Sequence, residues 1–187
     1  MYVRPEHVRR SIRLPQYDYA SCGAYFVTIC AYKRECLFGE IVDGEMVLND
    51  NGMIVRDEWT KSAEIRSEIE LDEYIIMPNH FHAIVWINDP VGAQFIAPDI
   101  HRLKSAMVNP LDSINRMGAI NRAPTLGEIV RAFKARVTYR VRKIGLIYGV
   151  WQRNYYERVI RSDEELYAIR QYIRDNPVKW ENDPERK

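Results

Sequence analysis

The chain has 187 residues, enough to bury one sizeable core, with 27 Lys+Arg against 26 Asp+Glu and 47% hydrophobic residues. That balance excludes a disordered chain, and no apolar run approaches the roughly 20 residues that a membrane helix needs. A single domain spanning 1–187, free of the membrane and cytoplasmic, is the expectation.

Residues 1–20 form a polar N-terminal arm carrying Arg4, Arg9, Arg10 and Arg13, with no apolar stretch of the kind a secretory leader has. Cys22, Cys30 and Cys36 are odd in number and lack a CxxC spacing, so reduced cysteines are expected rather than a disulfide framework or a zinc ribbon. Aromatic and β-branched residues from Ala24 to Arg34 predict a strand. A second strand over Leu37 to Val42 turns at Asp43-Gly44, a strong hairpin signal, into Met46 to Leu48. Ile54, Val55, Trp59, Ala63 and Ile65 then recur among charges, which predicts a helix over Met53 to Glu68.

Pro78-Asn79 separates two further apolar runs, predicting strands at Glu73 to Met77 and His80 to Asn88. Residues 88–124 carry four prolines and little periodicity, and read as a long excursion with one short helix near His101 to Val108. Thr125 and Glu128 make a capping box, and Leu126, Ile129, Val130, Phe133, Val137, Val141 and Ile144 follow at helical spacing up to Gly145. A strand over Val150 to Ile160 comes next. The last helix starts at Ser162, with a second capping box to Glu165, and must stop at Pro177. The order β(β)-α-β-β-α-β-α predicts an α+β fold: a ferredoxin-like, split βαβ antiparallel sheet with two crossover helices on one face, plus a C-terminal helix.

Charge is unevenly spread along this order. Leu37 to Glu73 carries a net −8 and Leu126 to Arg161 a net +7. Bases concentrated in one part of a chain suit a polyanion, although a solvated helix face beside a compensating acidic one would look the same. Arg131, Lys134, Arg136, Arg140, Lys143 and Arg153 are the candidate contacts to a nucleic-acid backbone.

His80 and His82 lie two apart on a predicted strand, so both imidazoles point to one side and suit a metal, while Phe81, Ala83, Val85 and Ile87 line the other. Ordinary hydrogen-bonded histidines would show the same spacing. On the final helix Leu166, Ile169 and Ile173 form the apolar stripe, and Tyr172 and Asn176 sit four apart on a neighbouring face. A tyrosine and an amide can therefore approach one metal together. The plainer reading makes Asn176 a helix C-cap and Tyr172 a packing residue.

The runs MPNHFHAIVWI, LGEIVRAFKARVTYRV and VWQRNYYERVIRSDEELYAIRQYIRDNPVKW, with the opening AYFVTICAYKRECLFGEI, resemble the HUH single-tyrosine transposases of insertion sequences, and within them the REP-associated tyrosine transposases. The resemblance covers most of the chain outside the arm, the excursion and the last few residues. It implies that His80 and His82 are metal ligands, that Tyr172 is the nucleophile, and that Asn176 is the third ligand, a place where other members carry glutamine. Tyr155, Tyr156 and Tyr167 compete for the nucleophile's role but lack a polar partner one turn on. Mg²⁺ or Mn²⁺ is the implied cofactor, and single-stranded or hairpin DNA the implied partner, with a homodimer as the expected assembly.

The implied chemistry is attack of Tyr172 on a phosphodiester, leaving a 5′-phosphotyrosyl DNA and a free 3′-hydroxyl that can reverse the attack. Two other readings stay open from sequence: a hairpin-binding protein that has lost cleavage, and an HUH replication initiator or relaxase.

Overall fold

The computed structural model describes residues 22–88, 125–146 and 148–186. The N-terminal arm and the excursion with its expected short helix lie outside the described residues, apart from Asn88 at the excursion's border. Among the described residues, six strands and three α-helices follow one another: β1 (Gly23–Cys30), β2 (Gly39–Val42), β3 (Glu45–Leu48), α1 (Asp50–Ile65), β4 (Ile69–Ile76), β5 (His80–Ile87), α2 (Leu126–Lys143), β6 (Tyr156–Ile160) and α3 (Asp163–Asp175). None of the described helices is long and apolar enough to cross a membrane.

Four strands form one antiparallel sheet in the order β4-β5-β1-β6, and β2 and β3 form a separate hairpin inserted before α1. That is the split βαβ arrangement predicted from the element order, with crossovers through α1 and α2 leading from the central strands β1 and β5 to the outer strands β4 and β6. Odd-numbered residues of β1 and β5, among them Tyr25, Val27, Ile29, Phe81, Ala83 and Val85, join Trp59 of α1 and Phe133 of α2 in the main core. Phe81, Trp59 and Phe133 meet with ring centroids 5.0 to 5.4 Å apart. Even-numbered residues Ala24, Phe26 and Ile84 face the other way and bury Leu166, Ile169 and Ile173 of α3. Period-2 strands thus divide the protein into two layers, and α3 owns the face that carries the histidines.

Element ends differ from expectation where side chains compete with backbone pairing. β1 stops at Cys30 rather than Arg34, because Tyr32–Arg34 form a 3-10 turn in which Lys33 and Arg34 take positive φ. β2 starts at Gly39 rather than Leu37, whose carbonyl instead accepts from the side chains of Asn49 and Asn51. α1 starts three residues earlier than predicted, since Asn49 caps it by accepting from the Gly52 backbone N–H at 3.0 Å. Gly52 is required there: a Cβ would lie 2.1 Å from the Phe38 carbonyl. At the hairpin, Asp43 and Gly44 both take positive φ, 52° and 80°, as a type I′ turn demands.

β4 starts at Ile69 instead of Glu73 and carries a bulge between Leu71 and Tyr74. β6 is shorter than the predicted Val150 to Ile160. The ammonium of Lys134 donates to the carbonyl of Gln152 at 2.6 Å and lies within 3.4 Å of those of Arg153 and Asn154, which takes these groups out of any ladder. Only an isolated bridge, Ala31 to Trp151, marks the missing half-strand.

Candidate metal and tyrosine site

His80 and His82 open β5 on its α3 side, both buried to within 1% of full burial. Buried imidazoles must be satisfied, and each ring nitrogen Nδ1 is. Thr28, directly across from His82 in the β1–β5 register, places its hydroxyl 2.8 Å from His82 Nδ1. Asn79 places Oδ1 2.8 Å from His80 Nδ1. The amide nitrogen of Asn79 is committed to the backbone carbonyls of Glu185, Arg34 and Arg186, so its oxygen must face the ring and accept from it. His80 therefore carries its hydrogen on Nδ1 and a lone pair on Nε2.

That Nε2 has no hydrogen-bond partner, and two other buried atoms beside it share the condition: Oδ1 of Asn176 and Oδ2 of Asp183. Asp183 Oδ2 stands 3.6 Å from His80 Nε2, too long for a hydrogen bond. Its other oxygen accepts from the Glu185 backbone N–H at 2.7 Å, so the carboxylate is held with one oxygen spare. Ligand atoms of His80, His82 and Asp183 all lie within 4.8 Å of one another. Orphaned lone pairs converging in a buried pocket are costly unless something positive accepts them. Two neutral imidazoles, a carboxylate and an amide oxygen fit a divalent cation.

Tyr172, on α3, brings its hydroxyl to 3.3 Å from His82 Nε2 while remaining 37% exposed. Phe26 stacks on the His82 ring at 5.3 Å and meets Tyr172 edge-on at 6.1 Å, fixing the two rings' relative orientation. α3 is fixed in turn from β4. Arg170 forks onto Asp72, whose second oxygen also accepts from the Trp86 indole at 2.9 Å, and Arg174 pairs with Glu73. The β4 bulge is what brings these two consecutive acids to the helix.

Burial dominates the electrostatics. It pushes the His80 pKa down to about 4, against the pull of the Asp183 carboxylate. His82 is pushed well down by burial and then by its neighbour His80. Both rings are therefore neutral near pH 7, the state in which they can ligate. Burial and then the Asp183 charge raise the pKa of the Tyr172 phenol, while a hydrogen bond with Asn176 works the other way.

The structure brings together His80, His82, Tyr172 and Asn176. Asn176 sits at the C-cap of α3, 3% exposed, but its side-chain oxygen caps nothing. Asp183, which follows the 3-10 turn Trp180–Asn182, is the site residue that sequence reasoning misses. The only hint lies in its acid type, because an irregular segment after Pro177 has no periodicity to aim it. Of the competing tyrosines, Tyr156 and Tyr167 are exposed, and among the described residues neither hydrogen-bonds to a histidine as Tyr172 does.

The six candidate nucleic-acid contacts divide. Lys134 is occupied by the carbonyls of 152–154. Arg136 donates to the Glu58 carboxylate at 2.8 Å and to Ser62 Oγ at 2.6 Å, and Arg140 reaches Glu58 at 3.1 Å and Asp57 at 3.5 Å. Arg131, Lys143 and Arg153 are exposed and make no ion pair among the described residues.

No protein-family model matches the chain. An uncharacterised protein of Haemophilus influenzae is 42% identical over 178 residues, covering 95% of this chain and 92% of that protein. Among solved structures, a REP-associated tyrosine transposase bound to a REP hairpin superposes with a TM-score of 0.56 at 19% identity, covering 91% of this chain and 74% of that one. The chain therefore belongs to one family with the Haemophilus influenzae protein and carries the fold of the REP-associated tyrosine transposases.

Proposed function

We propose that the protein is a metal-dependent transposase and endonuclease that nicks and rejoins single-stranded DNA at hairpin-associated sites through Tyr172. The observation that carries this reading is the Tyr172 hydroxyl 3.3 Å from His82, beside three buried polar atoms that lack any partner. A pure binding protein has no use for such a costly arrangement. The fold neighbour bound to a REP hairpin supports DNA as the partner.

His80, His82 and Asp183, with Asn176, would hold Mg²⁺ or Mn²⁺. Imidazole ligands favour Mn²⁺ of the two. A divalent ion there would supply positive charge against the phosphodiester oxygens and offset the Asp183 charge, which adds to burial in raising the phenol's pKa. Thr28 and Asn79 orient the two rings, and the Asp72–Arg170 pair holds the tyrosine against them. In the forward step Tyr172 Oη bonds to phosphorus and the P–O3′ bond breaks. The phenol loses its proton and the 3′-oxygen leaves as a hydroxyl, so the bond is stored as a 5′-phosphotyrosine that the same or another 3′-hydroxyl can reverse. Since Tyr172 already faces the histidines of its own chain, the reaction proceeds within one subunit.

Incubating the protein and a Tyr172→Phe variant with a 5′-hairpin single-stranded oligonucleotide and Mn²⁺ tests this. The expected result is a covalent adduct with the parent only, its formation dropping by roughly three orders of magnitude or more in the variant while DNA binding persists. An adduct formed by the variant removes Tyr172 from the role, and metal-independent binding without any adduct leaves a hairpin-binding protein.

A further inference from the structure

A groove of about 710 Å³ runs between the C-terminal half of α2 and the segment 149–153, on the α2 side of the sheet. Tyr139, Arg142, Lys143, Trp151 and Arg153 line it. Three features set it apart from an ordinary surface cleft. Arg142, Lys143 and Arg153 are exposed cations with no ion pair among the described residues, whereas the neighbouring Arg136 and Arg140 are spent on Glu58. Tyr139 is 62% exposed, with the Lys143 ammonium 4.5 Å from its ring centroid. The indole N–H of Trp151 is buried without an acceptor.

Its place in the fold also matters. The groove wall is fastened to the end of β1: Gln152 N–H donates to the Cys30 carbonyl at 2.9 Å, and Tyr32 N–H to the Val150 carbonyl at 2.9 Å. Cys30 is the register partner of His80 on its other side. One strand therefore separates the wall from the histidine pair, and Lys134 locks that wall to α2.

We infer that this groove holds a single-stranded flank of the DNA substrate, with a base stacked on Tyr139 and phosphates on Arg142, Lys143 and Arg153. The inference rests on the proposed function for its ligand but uses none of the cleavage residues. Unpaired cations follow a sugar-phosphate backbone, and an exposed ring beside them takes a base of any sequence. An acidic peptide would satisfy the cations but has no base to place on Tyr139.

The test is binding of a fluorescent oligothymidylate, with EDTA present so that cleavage cannot contribute. Arg142→Glu with Lys143→Glu is expected to weaken binding at least about 10-fold and to flatten the log Kd against log salt slope by about 0.7 for each phosphate no longer neutralised. Tyr139→Ala should weaken binding about 5-fold or more, and Tyr139→Phe should restore it. Lys61→Glu, on the exposed side of α1, is the control for charge alone, and thermal melting verifies folding of each variant. Unchanged affinity in the groove variants, an equal loss in the control, or competition by poly-glutamate as strong as by DNA would overturn the inference. Adduct formation by Tyr172 is read separately: if it occurs while groove variants bind normally, the enzyme stands and the groove falls, and the converse result leaves the groove standing alone.

Discussion

Asp183 Oδ2 and His80 Nε2 face each other across 3.6 Å, both buried and neither hydrogen-bonded. A carboxylate in that position is stabilised only by a positive charge between them. Asp183→Ala is therefore expected to lower Mn²⁺ affinity by roughly 10- to 100-fold, a loss on the scale seen when metal-site groups are removed. Asn176→Ala should cost less, since a neutral amide oxygen contributes less to the field. Isothermal titration with Mn²⁺ measures both, and the reverse ranking would make Asn176 the stronger ligand.

The histidines make the metal-free protein sensitive to mild acid. Their pKa values are lowered in the folded chain, to about 4 for His80, while in the unfolded chain they titrate near 6.5. Between those values the unfolded state takes up protons that the folded state refuses, so stability falls as pH drops from about 6.5 toward about 4 and is flat above. Urea melts at successive pH values should show this slope, and a His80→Gln, His82→Gln double variant should flatten it. Saturating Mn²⁺ at neutral pH should raise stability by about 2.7 kcal/mol at a hundred times its dissociation constant.

Thr28→Val keeps the shape of its side chain and removes the hydroxyl that sits 2.8 Å from His82 Nδ1. The ring can then turn or adopt the wrong tautomer. Adduct formation should fall about 10-fold or more, with a smaller loss of DNA binding. Equal losses in both would show that Thr28 supports the fold rather than the ring.

Asp72 accepts from Arg170, the Trp86 indole and the Glu73 backbone N–H. Burial alone would raise its pKa, but these donors outweigh burial and hold it at about 2. The stabilisation is present above pH 3.8, the ordinary value, and is lost as pH falls toward 2. Asp72→Asn should destabilise the protein by about 1–3 kcal/mol in chemical denaturation. It should also slow adduct formation more than it weakens DNA binding, because it frees the helix that carries Tyr172.

Much of this is legible in the residues themselves. The alternation through His80-Phe81-His82-Ala83 assigns each side chain to its layer, and the 3.6-residue spacing of Leu166, Ile169 and Ile173 orients α3 with Tyr172 beside the stripe. The capping box at Thr125 and the N-cap at Ser162 fix helix starts to within a residue, although the expected second box does not close, because the Glu165 carboxylate accepts from the Arg161 backbone N–H instead of that of Ser162. What stays hidden depends on neighbours distant in sequence. Arg136 reads as a free base until Glu58, 78 residues earlier, is folded against it. Lys134 looks like a DNA-binding cation until its ammonium meets the carbonyls of 152–154. Asp183 belongs to no periodic element, so only tertiary folding could bring it to His80.

The bulge that delivers Asp72 and Glu73 to α3 also answers a different hazard. β4 is an outer strand, and an outer strand with regular spacing invites another chain to zip onto it. Here the extra residue disrupts the ladder, two carboxylates stand at the break, and both are already clasped by arginines. Straightening the strand by deleting one of the two acids is therefore expected to lower the soluble fraction on expression as well as adduct formation by Tyr172.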